Sequence, residues 1–144
     1  MGLRLSLGPD SETPKWVDMG DGVGFLMRPA TTPEYRAAEA AASERLRQAI
    51  LGAETLADLG LEAPSADEIA DESMMLGYSR ALMGVELAIR IVSQWRGVWV
   101  DEEEAPAELT PRNMAGYLRD PSRHQRFESE AYRRIGEVFD EGKG

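Results

Sequence analysis

SADEIADESMMLGYSRALMGVELAIRIVSQWRGVWVD, residues 65–101, is the stretch on which the fold turns. Ser65 stands three residues before Glu68, the spacing of a capping box, in which hydroxyl and carboxylate satisfy amides at a helix start. Ile69, Leu76 and Met83 recur every seventh position, Leu87 and Ile91 continue the stripe, and Val92 and Trp95 widen it. This spacing predicts one helix with a buried face that runs to Gly97. At 1.5 Å per residue it would reach roughly 45 Å, enough to span a small domain. A second stripe, Gly77, Ala81, Gly84 and Ala88, has almost no side chain and predicts a closely packed neighbour. Gly97 is expected to close the helix in a left-handed conformation. Val98 would then fold back towards Val92 in a Schellman cap, and Val98-Trp99-Val100 would leave as extended chain.

Towards the N-terminus, Leu3, Leu5 and Leu7 alternate with Arg4 and Ser6, the pattern of a short half-buried strand before Gly8-Pro9-Asp10. Two apolar runs, Lys15 to Met19 and Val23 to Arg28, flank Gly20-Asp21-Gly22 and predict a hairpin, with Trp16 on one face and Val17 and Met19 on the other. Gly20, Gly22 and Gly24 superficially resemble a phosphate loop. No helix opens directly after them and no Gly-Lys-Ser/Thr follows, so they read as turn residues. Thr32-Pro33 predicts a helix start, and the alanines at 37, 38, 40, 41 and 42 give the following helix a slim surface suited to the Gly77 and Gly84 stripe.

Towards the C-terminus, DEEEAPAE predicts a solvated loop, since the alternating ligands and turning glycine of a calcium loop are missing. Thr110-Pro111 opens a short helix through Leu118. Asp120-Pro121 opens another, with Phe127, Ala131, Ile135 and Phe139 as its apolar face. The expected fold is mainly α with a small N-terminal antiparallel β-hairpin or three-stranded sheet, an α+β single domain around one long central helix. Residues 1–30 form the hairpin region, 32–95 two main helices, 98–109 the acidic extended loop and 110–140 two C-terminal helices.

The net charge of −10 sets this chain against a nucleic-acid or anionic-membrane partner, because both would repel it. No run approaches the roughly 20 apolar residues needed to span a bilayer. With no cysteine and one histidine, thiolate metal sites and imidazole clusters are excluded, and so is a Cys–His nucleophile pair. No cofactor or metal is expected. His124, among Ser122, Arg123, Gln125 and Arg126, reads as an exposed polar position. Asp67, Asp71 and Glu72 read as helix-start acids facing water rather than as a catalytic pair. Arg112, Arg119, Arg123 and Arg126 form a local basic bias suited to the acidic loop or to an acidic partner. Trp95 and Trp99, four residues apart, are candidates for a binding hot spot, with Trp95 expected in the core and Trp99 at the surface.

Two blocks together carry a family resemblance. KWVDMGDGVGFLMRPATTPEYRAAEAAA joins a tryptophan hairpin to Arg-Pro and a threonine-capped alanine helix, and LAIRIVSQWRGVWVDEEEAPAELTPRNMAGYL joins Trp-x-Gly-Val to an acidic stretch and a threonine-opened helix. They resemble the tail assembly chaperones of long-tailed phages and phage-like gene clusters. The resemblance covers most of the chain apart from residues 52–65, and Glu104-Ala105 stands where the family pattern has glycine. It implies a non-enzymatic protein of the host cytoplasm, absent from the mature particle, that binds the tape-measure protein and recruits the major tail protein to the growing tube. Trp16, Gly22, Trp95, Gly97 and Val98 match the pattern, and Trp99, Val98, Val100, Trp95 and Trp16 are the expected partner-binding residues. The alternative is a structural virion component such as a head-tail connector or minor tail protein. Assembly as a homo-oligomer is left open by the sequence.

Overall fold

Asp21 and Gly22 both adopt positive φ, 54° and 77°, and so make the tight two-residue turn that joins β1 (Lys15–Gly20) to β2 (Val23–Met27). The computed structural model describes residues 13–100 and 105–141, with side chains through residue 132. The expected strand at Leu3, Leu5 and Leu7 therefore lies outside the described residues. So do the acids of residues 101–104 and the side chains of Ile135 and Phe139. In the hairpin, Val17 and Met19 are buried while Trp16 is on the opposite, outer face, as the alternation predicts.

The first helix, α1 (Thr32–Ile50), is capped by Thr31 rather than Thr32. Thr31 and Glu34 form a reciprocal capping box, and Pro33 sits one position further in than expected. Gly52, with φ 97°, ends the helix: its amide donates to the Ala49 carbonyl and the Ala53 amide to that of Gln48. A 3-10 turn, Ala57–Leu59, follows and buries Leu56 and Leu59.

The long central helix differs from expectation at both ends. The Ser65–Glu68 capping box forms, but it caps only α2 (Ala66–Ile69), a single turn. The long helix α3 (Glu72–Ile91) has its own cap, with the Asp71 carboxylate accepting from the amides of Ser73 and Met74. Ile69 and Leu76, placed on the buried stripe by their spacing, are exposed; the buried face is Leu82, Val85, Leu87, Ala88 and Ile91.

At its C-terminus α3 stops at Ile91, and Val92 to Arg96 form a third strand, β3 (Val92–Arg96), antiparallel to β2. The expected helix through Trp95 and its Schellman cap are therefore wrong. The cause is a β-bulge. Phe25 pairs with Trp95 and Met27 with Val92, so two steps along β2 match three along β3, and Val92 and Trp95 reach the same face. Their separation of three residues imitates a helical stripe. The sheet also intercepts the helix end, because the Arg28 amide donates to the Ile91 carbonyl and the Arg28 guanidinium to the Arg90 carbonyl.

Gly97 keeps its predicted left-handed φ of 79°, but for a different reason: a Cβ there would lie 2.1 Å from the Gly22 carbonyl oxygen. The end of β3 thus passes against the hairpin turn. Two C-terminal helices complete the α+β domain, α4 (Pro111–Leu118), capped by Thr110 as predicted, and α5 (Pro121–Glu141). Their buried residues Met114, Tyr117, Leu118 and Phe127 close the inner face of the three-stranded sheet, where the Phe25 ring lies 5.2 Å from Tyr117 and 6.3 Å from Phe127.

Candidate functional site

Trp95 lies in β3, whereas Trp99 follows beyond the Gly97 turn in the chain that leaves it. Trp95 is half-buried, with its ring 6.1 Å from Phe25 and 6.2 Å from Tyr117, and its indole Nε1 donates to the Ala107 carbonyl at 2.8 Å. It ties β3 to the segment before α4. Trp99 is 58% exposed, yet its backbone is fixed, because it forms a β-bridge with Pro106 and the neighbouring Val98 carbonyl accepts from the Ala107 amide at 2.8 Å. A large apolar side chain is thereby held outwards on an ordered support.

Beside it lies a cleft of about 360 Å³. Val98, Trp99 and Val100 form one wall, and α4 and the start of α5 form the other, with Arg112, Arg119, Arg123, Asn113 and Tyr117. Val98 is half-buried and Val100 is 39% exposed. The Arg123 guanidinium lies 5.1 Å from the Tyr117 ring centroid and 3.5 Å from Asp120. Arg112 packs beside Gly60 of the 3-10 turn. The structure therefore brings three of the four expected arginines to Trp99. The fourth, Arg126, turns to β1, where it donates to the Asp18 carbonyl at 3.0 Å, and faces Glu130 at 3.5 Å.

Trp16 belongs to a different surface. It lies on the outer sheet face, 42% exposed, with the Arg96 guanidinium 4.4 Å over its ring. Gly24 gives the arginine room to cross β2: a Cβ there would sit 2.8 Å from Arg96 Nε, and the arginine would have to shift. Of the five expected partner-binding residues, Val98, Trp99 and Val100 thus share the cleft, Trp95 braces it from inside and Trp16 is on the far side of the sheet.

Elsewhere the polar groups serve the fold. Arg28 was missed in the sequence; it pairs through both guanidinium nitrogens with Glu34 while capping α3, and so links the sheet to two helices. The Arg28 guanidinium, helped by the Thr31 amide and hydroxyl, holds the Glu34 carboxyl down at about 2. Glu86, buried on α3, is satisfied by Arg45 of α1 at 3.1 Å and by Arg90 at 2.8 Å. Asp71 acts as a helix cap rather than half of an acid pair. His124 is not the exposed residue expected: its side chain is 14% exposed, Nδ1 lies 2.8 Å from Glu128, and buried Nε2, without a hydrogen-bond partner, faces Gly84. At Gly84 the nearest atoms are therefore those of α5, where the sequence suggested only the alanine face of α1. The Tyr35 hydroxyl, 3.4 Å away, holds the Tyr132 phenol up at about 12. Both shifts lead away from neutral pH, the direction opposite to that of a poised acid or base.

Among the described residues no group of His, Asp and Glu is placed to hold a metal ion, and no helix is long and apolar enough to cross a membrane. Searches of family models, curated proteins and solved structures find no match to this chain.

Proposed function

We propose that this chain is a non-enzymatic assembly factor of the tail-chaperone type, which binds the tape-measure protein through the Trp99 face and recruits tail-tube subunits. The observation that carries the reading is Trp99, 58% exposed on backbone fixed by the Pro106 bridge and the Val98–Ala107 hydrogen bond. Exposing an indole to water is unfavourable, whereas a rigid aromatic beside a cleft is the usual anchor of a binding hot spot. Val100 extends the apolar rim. The two sequence blocks that resemble tail assembly chaperones both contribute to this region: the first supplies the Gly22 turn against which Gly97 packs, and the second contains β3, Trp99 and α4.

A tape-measure chain exposes apolar helical surface until the tube encloses it, and a soluble acidic binder would shield that surface during assembly. The test is co-expression with candidate tape-measure and major tail proteins, followed by affinity isolation and analysis of finished particles. The proposal expects association in lysates and absence from particles. Stable incorporation into particles would favour the connector or minor tail protein, and no association with either protein would end both readings.

A further inference from the structure

The arginines beside Trp99 are placed against their own local electrostatics. Arg112 and Arg123 both occupy the first turns of helices, α4 and α5, where the helix dipole disfavours cations, and neither first turn contains an acid. Arg119 is exposed on the same wall. Among the described residues, the Arg112 and Arg119 side chains make no ion pair or hydrogen bond, and Arg123 has a solvent-accessible ion pair with Asp120 and the Tyr117 ring face. Three cations therefore converge on one cleft of a chain whose net charge is −10. Their mutual repulsion and their helix positions both cost stability, which an external anion would offset.

We infer that this cleft receives an acidic segment of a partner polypeptide, with carboxylates on Arg112 and Arg119 and a neighbouring apolar side chain on Trp99 and Val100. The inference rests on the Trp99 face being the docking surface and adds the chemistry of what docks there. Arginine forks match carboxylates bidentately, and Arg123, held over Tyr117, completes the positive wall. A peptide suits the site better than a nucleic acid. A long polyanion would feel the whole acidic surface, while a few carboxylates within a Debye length of about 8 Å respond mainly to the local arginines. The cleft offers one exposed indole, not the series of aromatic platforms on which successive bases stack.

The probe is a short labelled peptide in which leucines alternate with glutamates, compared with its glutamine counterpart by fluorescence anisotropy. The full chain is expected to bind the acidic peptide at least about tenfold more tightly, with a preference that shrinks as salt is raised. R112Q/R119Q should abolish the preference without lowering the melting temperature, since both side chains are exposed and their charges are unfavourably placed. Equal binding of the two peptides, or an undiminished preference in R112Q/R119Q, overturns the inference. Tighter binding of an oligodeoxythymidylate of equal charge overturns the assignment to a peptide. The two levels of the argument separate in the tape-measure assay: association lost in W99A but retained in R112Q/R119Q leaves the docking face intact and removes its acidic ligand.

Discussion

Gly77 and Gly84 lie seven residues apart in α3 and look equivalent in sequence, yet replacing each by alanine should change stability in opposite directions. A Cβ at Gly77 would meet nothing within 4 Å, so Gly77→Ala should gain about 0.5–1 kcal/mol from helix propensity. At Gly84 the new methyl would fall 2.2 Å from His124 Nε2, 2.9 Å from Cε1 and 3.0 Å from Cδ2. Ordinary contact needs about 3.5 Å, so the ring must move by more than about 1 Å. It has little freedom to do so. Nδ1 is held at 2.8 Å from Glu128, and the adjacent turn of α5 is anchored by fully buried Phe127. Overpacking of this kind costs about 1–3 kcal/mol, which leaves a net loss of roughly 1–2 kcal/mol after the propensity gain. For a domain of this size the melting temperature should fall by about 3–8 °C, against a small rise for Gly77→Ala. Urea unfolding of Gly84→Ala in the wild-type and His124→Ala backgrounds isolates the cause: the loss should vanish or reverse when the imidazole is gone. An equal loss in both backgrounds would refute the contact, and two glycines that behave alike would refute the packing of α5 on α3.

Gly97→Ala should cost at least about 2 kcal/mol, because it combines left-handed backbone with a methyl 2.1 Å from the Gly22 carbonyl, whereas Gly22→Ala, in open space, should cost only about 1–2 kcal/mol of conformational strain. Chemical denaturation of the two variants side by side checks the order. Glu34 titrates at about 2 in the folded chain, below its ordinary 4.5, so its pairing with Arg28 stabilises fully above pH 4.5 and is lost as pH falls towards 2. Glu34→Gln should therefore melt below the wild type at pH 7 and converge with it near pH 2, which a melting series across pH will show. Trp95→Ala should destabilise by about 3 kcal/mol, the low end for a tryptophan because the ring is only half-buried, and should loosen the segment before α4 in hydrogen exchange through loss of the Ala107 hydrogen bond.

Local signals in this sequence were legible where a single element decides them. The hairpin follows from alternation around Asp21-Gly22, and the α4 and α5 starts from Thr110-Pro111 and Asp120-Pro121. What failed was periodicity across a junction. A bulged strand that presents Val92 and Trp95 three residues apart carries the same apolar spacing as a helix, and β3 follows α3 without a loop. The hydrogen bond from the Arg28 amide to Ile91, which comes from a distant part of the chain, decides where the helix stops. In the same way Ser65 and Glu68 form a genuine capping box for one turn, while Asp71 recaps the chain. The site was partly legible. Trp99 could be expected at the surface because it follows Gly97 and precedes four acids, and the arginines were visible as a local bias. Their convergence on Trp99 depends on how α4 and α5 pack, which their spacing does not encode. The burial of His124 was hidden for the same reason, its partner being Gly84.

The most direct test of the account is the association of Trp99→Ala with the tape-measure protein, measured together with its melting temperature. Since the side chain is largely exposed, the variant should melt within about 0.5 kcal/mol of the wild type, while a hot-spot role predicts a loss of about 2 kcal/mol or more in binding, some thirtyfold in Kd. Unchanged affinity, or a loss no larger than the accompanying loss of stability, would contradict the claim that this indole is held outwards to bind a partner.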